Sequence, residues 1–148
     1  MSEPMLSKPC WVVDFLPEQV PRKSAGQFFA VEKYYLQQPL LADLHRRFTD
    51  ILLKLNCYSD FLVSFPDTDQ QVMNPAPDLL ASWIASGKKD LCIMLPGENT
   101  LITLNHDDTC MTVFNPPEHL VGRIRNLAAA SGLFLWQPPE DPFLSANR

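Results

Sequence analysis

One segment of the chain places a histidine beside two carboxylates: Asn105-His106-Asp107-Asp108. Imidazole and carboxylate groups act as metal ligands and as general bases, so this segment could bind a divalent ion if further ligands approached it. The sequence shows no residues that would complete such a site. Asn and Asp are also typical of tight turns, because their side chains bond to their own backbone amides. The pattern therefore favours a plain turn, with ligand binding by His106, Asp107 and Asp108 as the alternative.

Motifs that would indicate an enzyme are missing from the sequence. It contains no GxSxG or HExxH pattern, and its five glycines form no phosphate-binding loop. Its four cysteines have no CxxC spacing and lie among apolar residues, which indicates buried free thiols in a reducing cytoplasm. We therefore predict no catalytic residue, no metal site and no cofactor, and we favour a protein that is not an enzyme.

The charge balance argues against nucleic acid as a partner. The chain has 17 acidic and 12 basic residues, for a net charge of −5, and its basic residues cluster only in pairs. Nucleic-acid binding depends on clustered Lys and Arg that neutralise phosphates. The N-terminus has the pattern of neither a secretory signal nor a membrane span. We therefore predict a cytoplasmic protein that contacts neither nucleic acid nor a membrane.

Size and composition predict one domain. The 148 residues are 46% hydrophobic and 20% charged, which supplies enough apolar material for a single core. We predict one α+β domain over residues 1–148, with proline-rich terminal segments at 1–9 and 137–148. Short apolar runs bounded by proline predict strands at 11–16 and 61–65, and the polar segment 66–71 is expected to be an exposed loop.

Apolar periodicity predicts the first two helices. Residues 40–55 have the clearest pattern, because apolar side chains recur every three or four positions and charged ones lie on the other side. An earlier helix is expected to begin at Ser24, whose hydroxyl would form a capping box with Gln27, and to end before Pro39.

Two later helices share the same boundary residues. Each is preceded by Asn-Pro, at Asn74 and at Asn115, and each is followed by Ser-Gly, at Gly87 and at Gly132. We expect the asparagines to be N-caps and the glycines to end the helices in a left-handed conformation. An apolar strand follows each helix.

The stretch 91–114 predicts a three-stranded antiparallel meander with turns at 96–99 and 105–108. Pairing through the turns places Ile93 opposite Ile102, and Ile102 opposite Met111. Since strand side chains alternate between faces, one face is wholly apolar and is expected to pack on the helix 40–55. That inner face consists of Leu91, Ile93, Leu95, Ile102, Leu104, Met111 and Val113.

The opposite, outer face of the meander mixes apolar and small polar side chains. It consists of Cys92, Met94, Leu101, Thr103, Cys110, Thr112 and Phe114. One interpretation is that another helix or the first segment of the chain covers it. The other is that it lines a partner groove or a homodimer surface, since exposed apolar patches usually mark contacts. Thr103 and Thr112 are its candidate binding residues, and Tyr34, beside Tyr35, is a candidate on a separate contact patch.

These elements predict an α+β fold in the order β-α-α-β-α-β-β-β-α-β, with a mostly antiparallel sheet and helices packed mainly on one face. The expected function is a non-catalytic protein-interaction module whose partner is an unknown protein or a second copy of the chain. One version is an acidic inhibitor or immunity-type protein that masks a basic partner. The alternative is an enzyme, or a binder of a small ligand or metal, with its site near residues 105–108.

Overall fold

The computed structural model describes residues 8–139, which form an α+β domain with one seven-stranded antiparallel sheet and four α-helices. The predicted fold class is therefore confirmed. The strands are β1 (Cys10–Asp14), β2 (Leu62–Ser64), β3 (Gln71–Met73), β4 (Leu91–Leu95), β5 (Thr100–Leu104), β6 (Cys110–Phe114) and β7 (Phe134–Trp136). The helices are α1 (Ala25–Tyr35), α2 (Leu40–Asn56), α3 (Pro77–Ala85) and α4 (Glu118–Ala130), and a short 3-10 turn (Arg22–Ser24) precedes α1.

The strands lie in the order β3-β2-β4-β5-β6-β1-β7, and every neighbouring pair is antiparallel. The first strand of the chain is thus inserted near one edge, between β6 and β7. Both edge strands are only three residues long. Short edges limit the number of unpaired backbone groups that the sheet offers to other chains.

Helix α2 forms the centre of the layer that covers one face of the sheet. It was expected over 40–55 and extends over Leu40–Asn56. Its apolar stripe is buried, with Phe48 and Leu52 at 0% exposure, and it packs between α3 and α4. On its charged side, Arg47 Nε donates to Asp43 Oδ2 at 2.8 Å. The 3.6-residue period alone places these two sets of side chains on opposite sides.

The seven residues predicted for the inner face are all buried in the core with the helices. The register of β4 with β5 is also as predicted, because Ile93 lies opposite Ile102. The register of β5 with β6 was wrong by two residues: Ile102 lies opposite Val113, not Met111. The connection after Leu104 is therefore longer than a four-residue turn. A shift of two preserves the face of every side chain, so the inner and outer sets are unchanged.

The segment 66–71 is not simply a loop, because Gln71 begins the strand β3. The sequence prediction missed this strand. Val72 pairs with Val63, and the turn between β2 and β3 closes with a bond from the Thr68 amide to the Phe65 carbonyl. Two of the three residues of β3 are exposed, so it lacks the apolar alternation by which strands are found in a sequence.

The predicted side-chain caps of the helices were wrong. Residues Ala76 and Pro117 occupy the N-cap positions of α3 and α4, while Asn74 and Asn115 lie earlier, at φ angles of 46° and 61°. Ser24 occupies the N-cap of α1 but forms no capping hydrogen bond. The asparagines serve instead as left-handed residues between strand and helix, a conformation that Asn tolerates better than most residues.

Candidate functional site

The outer face of the sheet has a covered end and an open region. At the covered end Val12, Asp14 and Cys110 are between 4% and 5% exposed. Helix α1 lies beside them, because the Thr109 hydroxyl donates to Glu32 Oε2 at 3.1 Å. Burial first, and then the charges of Asp14 and Glu32, raise the pKa of Cys110 to about 12. That thiol is therefore not a candidate nucleophile.

The open region crosses five adjacent strands, and no described helix covers it. Its side chains are half-buried and all are uncharged. They are Cys10, Leu62, Ser64, Cys92, Met94, Leu101, Thr103, Thr112 and Phe114. Thr103 lies directly opposite Thr112 on one side and Cys92 on the other, so the structure brings the two predicted threonines together. Exposed Met73 on the edge strand β3 lies opposite Leu62 and extends this surface. Exposed Phe134 on the other edge strand lies opposite Asp14, at the covered end.

The thiols of the open region are poorly suited to nucleophilic chemistry. Burial raises the pKa of Cys10, and burial together with the charge of Asp90 raises the pKa of Cys92. A reactive cysteine needs a lowered pKa and an adjacent base. All four cysteines are free, but the expectation that all are buried holds only for Cys110, because Cys10 and Cys92 are half-buried and Cys57 is exposed.

The turn after β5 is held to the residue that precedes β4. Asp90 Oδ1 accepts a hydrogen bond from the His106 amide at 2.9 Å and lies 2.6 Å from His106 Nδ1. These bonds lower the pKa of Asp90, and the Asp90 carboxylate raises the pKa of His106. Asp107 lies beside them, so that ligand atoms of the three residues are all within 4.8 Å of one another. We call Asp90, His106 and Asp107 the turn cluster.

Sequence reasoning did not select Asp90, although the register of β4 with β5 could have found it. Leu91 pairs with Leu104, so the residue before Leu91 must lie next to the start of the 105–108 turn. Asp108 takes a different role from its neighbours, since its amide donates to the Asn105 carbonyl and closes the turn. It is outside the turn cluster.

A second histidine lies behind the turn cluster. His45 on α2 is 4% exposed, and the backbone of His106 lies close enough to its imidazole to influence its pKa. Burial lowers the pKa of His45, so the neutral imidazole is favoured in the folded chain. Its ring also lies near Gly87, where an added Cβ would come within 3.7 Å of Cε1. His45 therefore lies between Gly87 and the turn, on the core side of the turn cluster.

Tyr34 is 58% exposed on α1 and makes an edge-on contact with Tyr35, with 5.5 Å between the ring centroids. Among residues 8–139, no hydrogen bond or ion pair joins it to the threonines of the open region or to the turn cluster. It remains a candidate for a separate contact. The predicted site residues thus divide among three places: a sheet face, a turn and a helix surface.

Comparison of the chain with protein-family models, with curated proteins and with solved structures gives no match. Within residues 8–139, no helix combines the length and apolarity needed to cross a membrane.

Proposed function

We propose that this chain is a non-catalytic, cytoplasmic protein-interaction module that binds a protein partner through the open region of its sheet. The observation that carries the proposal is an uncharged, partly apolar surface across five adjacent strands, with no described helix over it. Surfaces of this kind on a folded domain usually mark contacts with other proteins. Small hydroxyl side chains such as Thr103 and Thr112 can form hydrogen bonds across such a contact.

The open region is smaller than the area that a specific interface buries. Five strands at a spacing of about 4.8 Å, the longest about 17 Å in length, present at most roughly 400 Å². A specific interface buries about 800 Å² on each partner. The partner would therefore also cover neighbouring surface, for which exposed Met73, opposite Leu62 on the edge strand β3, is suited.

The charge of the chain supports the acidic-inhibitor version of this function. A net charge of −5 attracts a basic partner over a distance, whereas the open region itself has no charge to desolvate on contact. Charge would then govern the rate of association, and the apolar side chains would govern how long the complex lasts. Two copies of the chain are equally acidic, so long-range electrostatic attraction would not favour their association.

A charge placed in the centre of the open region tests the proposal. Leu101 lies between Met94 and Phe114, so Leu101→Lys would put an ammonium group within the contact. Leu79→Lys is the matched control, because Leu79 is 40% exposed on α3, away from the sheet face. Each variant is compared with the wild type by affinity capture from native lysate and by light scattering.

We expect the wild type and Leu79→Lys to retain a stoichiometric partner, and Leu101→Lys to lose it. A wild-type monomer with no stoichiometric partner would reject the interaction module altogether. If Leu101→Lys captured the same partner as the wild type, the contact would lie elsewhere on the molecule, and the assignment to the open region would be wrong.

A further inference from the structure

The turn cluster brings together side chains from two separate parts of the chain. Asp90 precedes β4, whereas His106 and Asp107 follow β5. Their ligand atoms lie within 4.8 Å of one another, and the cluster is partly exposed, with 40% and 39% exposure for the His106 and Asp90 side chains. An ion could therefore enter from solvent without any rearrangement of the core.

The Asp90 carboxylate is oriented before any ion arrives. It accepts from both the amide and the ring of His106, which fixes the two side chains relative to each other. The buried side chain of His45 lies behind the same turn. Ligand sites gain affinity when supporting contacts orient the ligand groups in this way.

Asp107 is exposed and takes no part in the clamp between Asp90 and His106. The clamp needs Asp90 and His106 only, and within residues 8–139 Asp107 makes no hydrogen bond and no salt bridge. Its carboxylate nevertheless lies close to that of Asp90, and no described Lys or Arg forms a salt bridge to either. A cation between two carboxylates is attracted to both.

We propose that Asp90, His106 and Asp107 form a binding site for a divalent transition-metal cation. One imidazole and two carboxylates are the nitrogen and oxygen ligands that suit Zn²⁺, Ni²⁺ and Mn²⁺, with water in the remaining positions. Coordination through His106 Nδ1 requires the neutral imidazole with its proton on Nε2, so a proton is released to solvent only where His106 is protonated before the cation binds. The inference is independent of the open region, which lies on the sheet face.

The test uses the full chain, stripped of metal, and Zn²⁺ as the probe. All measurements are made in a Cys57→Ser background, because the exposed thiol of Cys57 would itself bind zinc. Titration calorimetry measures binding, and circular dichroism checks that each variant is folded. Asp107→Asn is the decisive variant, because it removes one ligand and leaves the bonds between Asp90 and His106 in place.

We expect saturable binding of one zinc ion, weakened about tenfold or more by Asp107→Asn and more strongly still by His106→Ala. Two controls should bind as the wild type does: His119→Ala removes an exposed histidine on α4, and Asp108→Asn alters the same turn outside the cluster. The absence of saturable binding in the wild type would overturn the proposal. So would unchanged binding in Asp107→Asn, or a loss in His119→Ala as large as that in His106→Ala.

Discussion

Asn74 is predicted to stabilise the fold through two separable effects. Its backbone is left-handed, with φ at 46°. Its side-chain Oδ1 accepts from the Phe61 amide at 2.8 Å and from Asn56 Nδ2 at 3.1 Å, and its Nδ2 donates to Asp60 Oδ1 at 3.1 Å. These bonds join the end of α2, the start of β2 and the connection from β3 to α3. Substitution by Ala removes the bonds and adds backbone strain, whereas substitution by Gly removes only the bonds.

The two contributions can be estimated from the contacts. The partly buried bond to the Phe61 amide contributes about 1 kcal/mol, and the exposed bonds to Asn56 and Asp60 contribute close to nothing, because water replaces them. A left-handed conformation costs Ala about 1 kcal/mol more than Gly. Asn74→Ala should therefore lower the free energy of unfolding by about 2 kcal/mol and Asn74→Gly by about 1 kcal/mol.

Asn115 provides the matched comparison. It is also left-handed, with φ at 61°, but its side chain makes one exposed bond, from Nδ2 to the Asn99 carbonyl at 3.0 Å. Asn115→Ala should cost about 1 kcal/mol and Asn115→Gly close to nothing. Urea denaturation followed by circular dichroism measures all four values. For a chain of this length, 1 kcal/mol corresponds to about 2–4 °C in Tm.

The pattern of the four values, rather than any one of them, tests the reasoning. If Ala and Gly cost the same at both positions, backbone strain does not contribute there. If Asn74→Gly is as harmless as Asn115→Gly, the bond to the Phe61 amide does not stabilise the fold.

Three further predictions follow from burial and charge. His45 has a lowered pKa, so the unfolded chain binds its proton more readily, and its contribution to stability is lost as the pH falls below about 6.5. His106 has a raised pKa, so its contribution is present below about 6.5 and is lost as the pH rises through its folded pKa. Urea denaturation of the metal-free protein from about pH 5 to 8 measures how the free energy of unfolding depends on pH. In His45→Gln only the pH dependence due to His106 should remain, and in His106→Gln only the opposite dependence due to His45. The same slope in both variants would contradict the assignments. In the folded protein at about pH 8, iodoacetamide should modify exposed Cys57 and leave Cys110 unmodified until urea is added. Peptide mass mapping identifies the modified residues. Modification of Cys110 without urea would mean that its end of the sheet opens. Phe48 is 0% exposed, so Phe48→Ala should lower the free energy of unfolding by about 3–5 kcal/mol, measured by urea denaturation. A loss below about 1 kcal/mol would mean that neighbouring side chains fill the cavity.

The sequence determined the elements whose patterns are local. The 3.6-residue period of α2 and the two-residue alternation of β4 to β6 follow from how each element turns its side chains, so the buried set could be predicted without knowing the topology. The predicted buried set is correct although the predicted pairing of Ile102 with Met111 was wrong by two residues, because such a shift leaves every side chain on its face. The residues of the outer face could be predicted in the same way, but whether those side chains are exposed could not.

Only the tertiary structure decided which distant parts of the chain meet. Backbone pairing is nearly independent of residue type, so nothing local showed that β1 enters between β6 and β7, or that Gln71 begins a strand. The same limit applies to the candidate sites. The position of α1 closes one end of the outer face at Cys110 and leaves Thr103 open, and the pairing of β4 with β5 gives His106 its partner Asp90. Sequence periodicity assigns a side chain to a face, whereas its exposure and its partners depend on contacts between residues far apart in the chain.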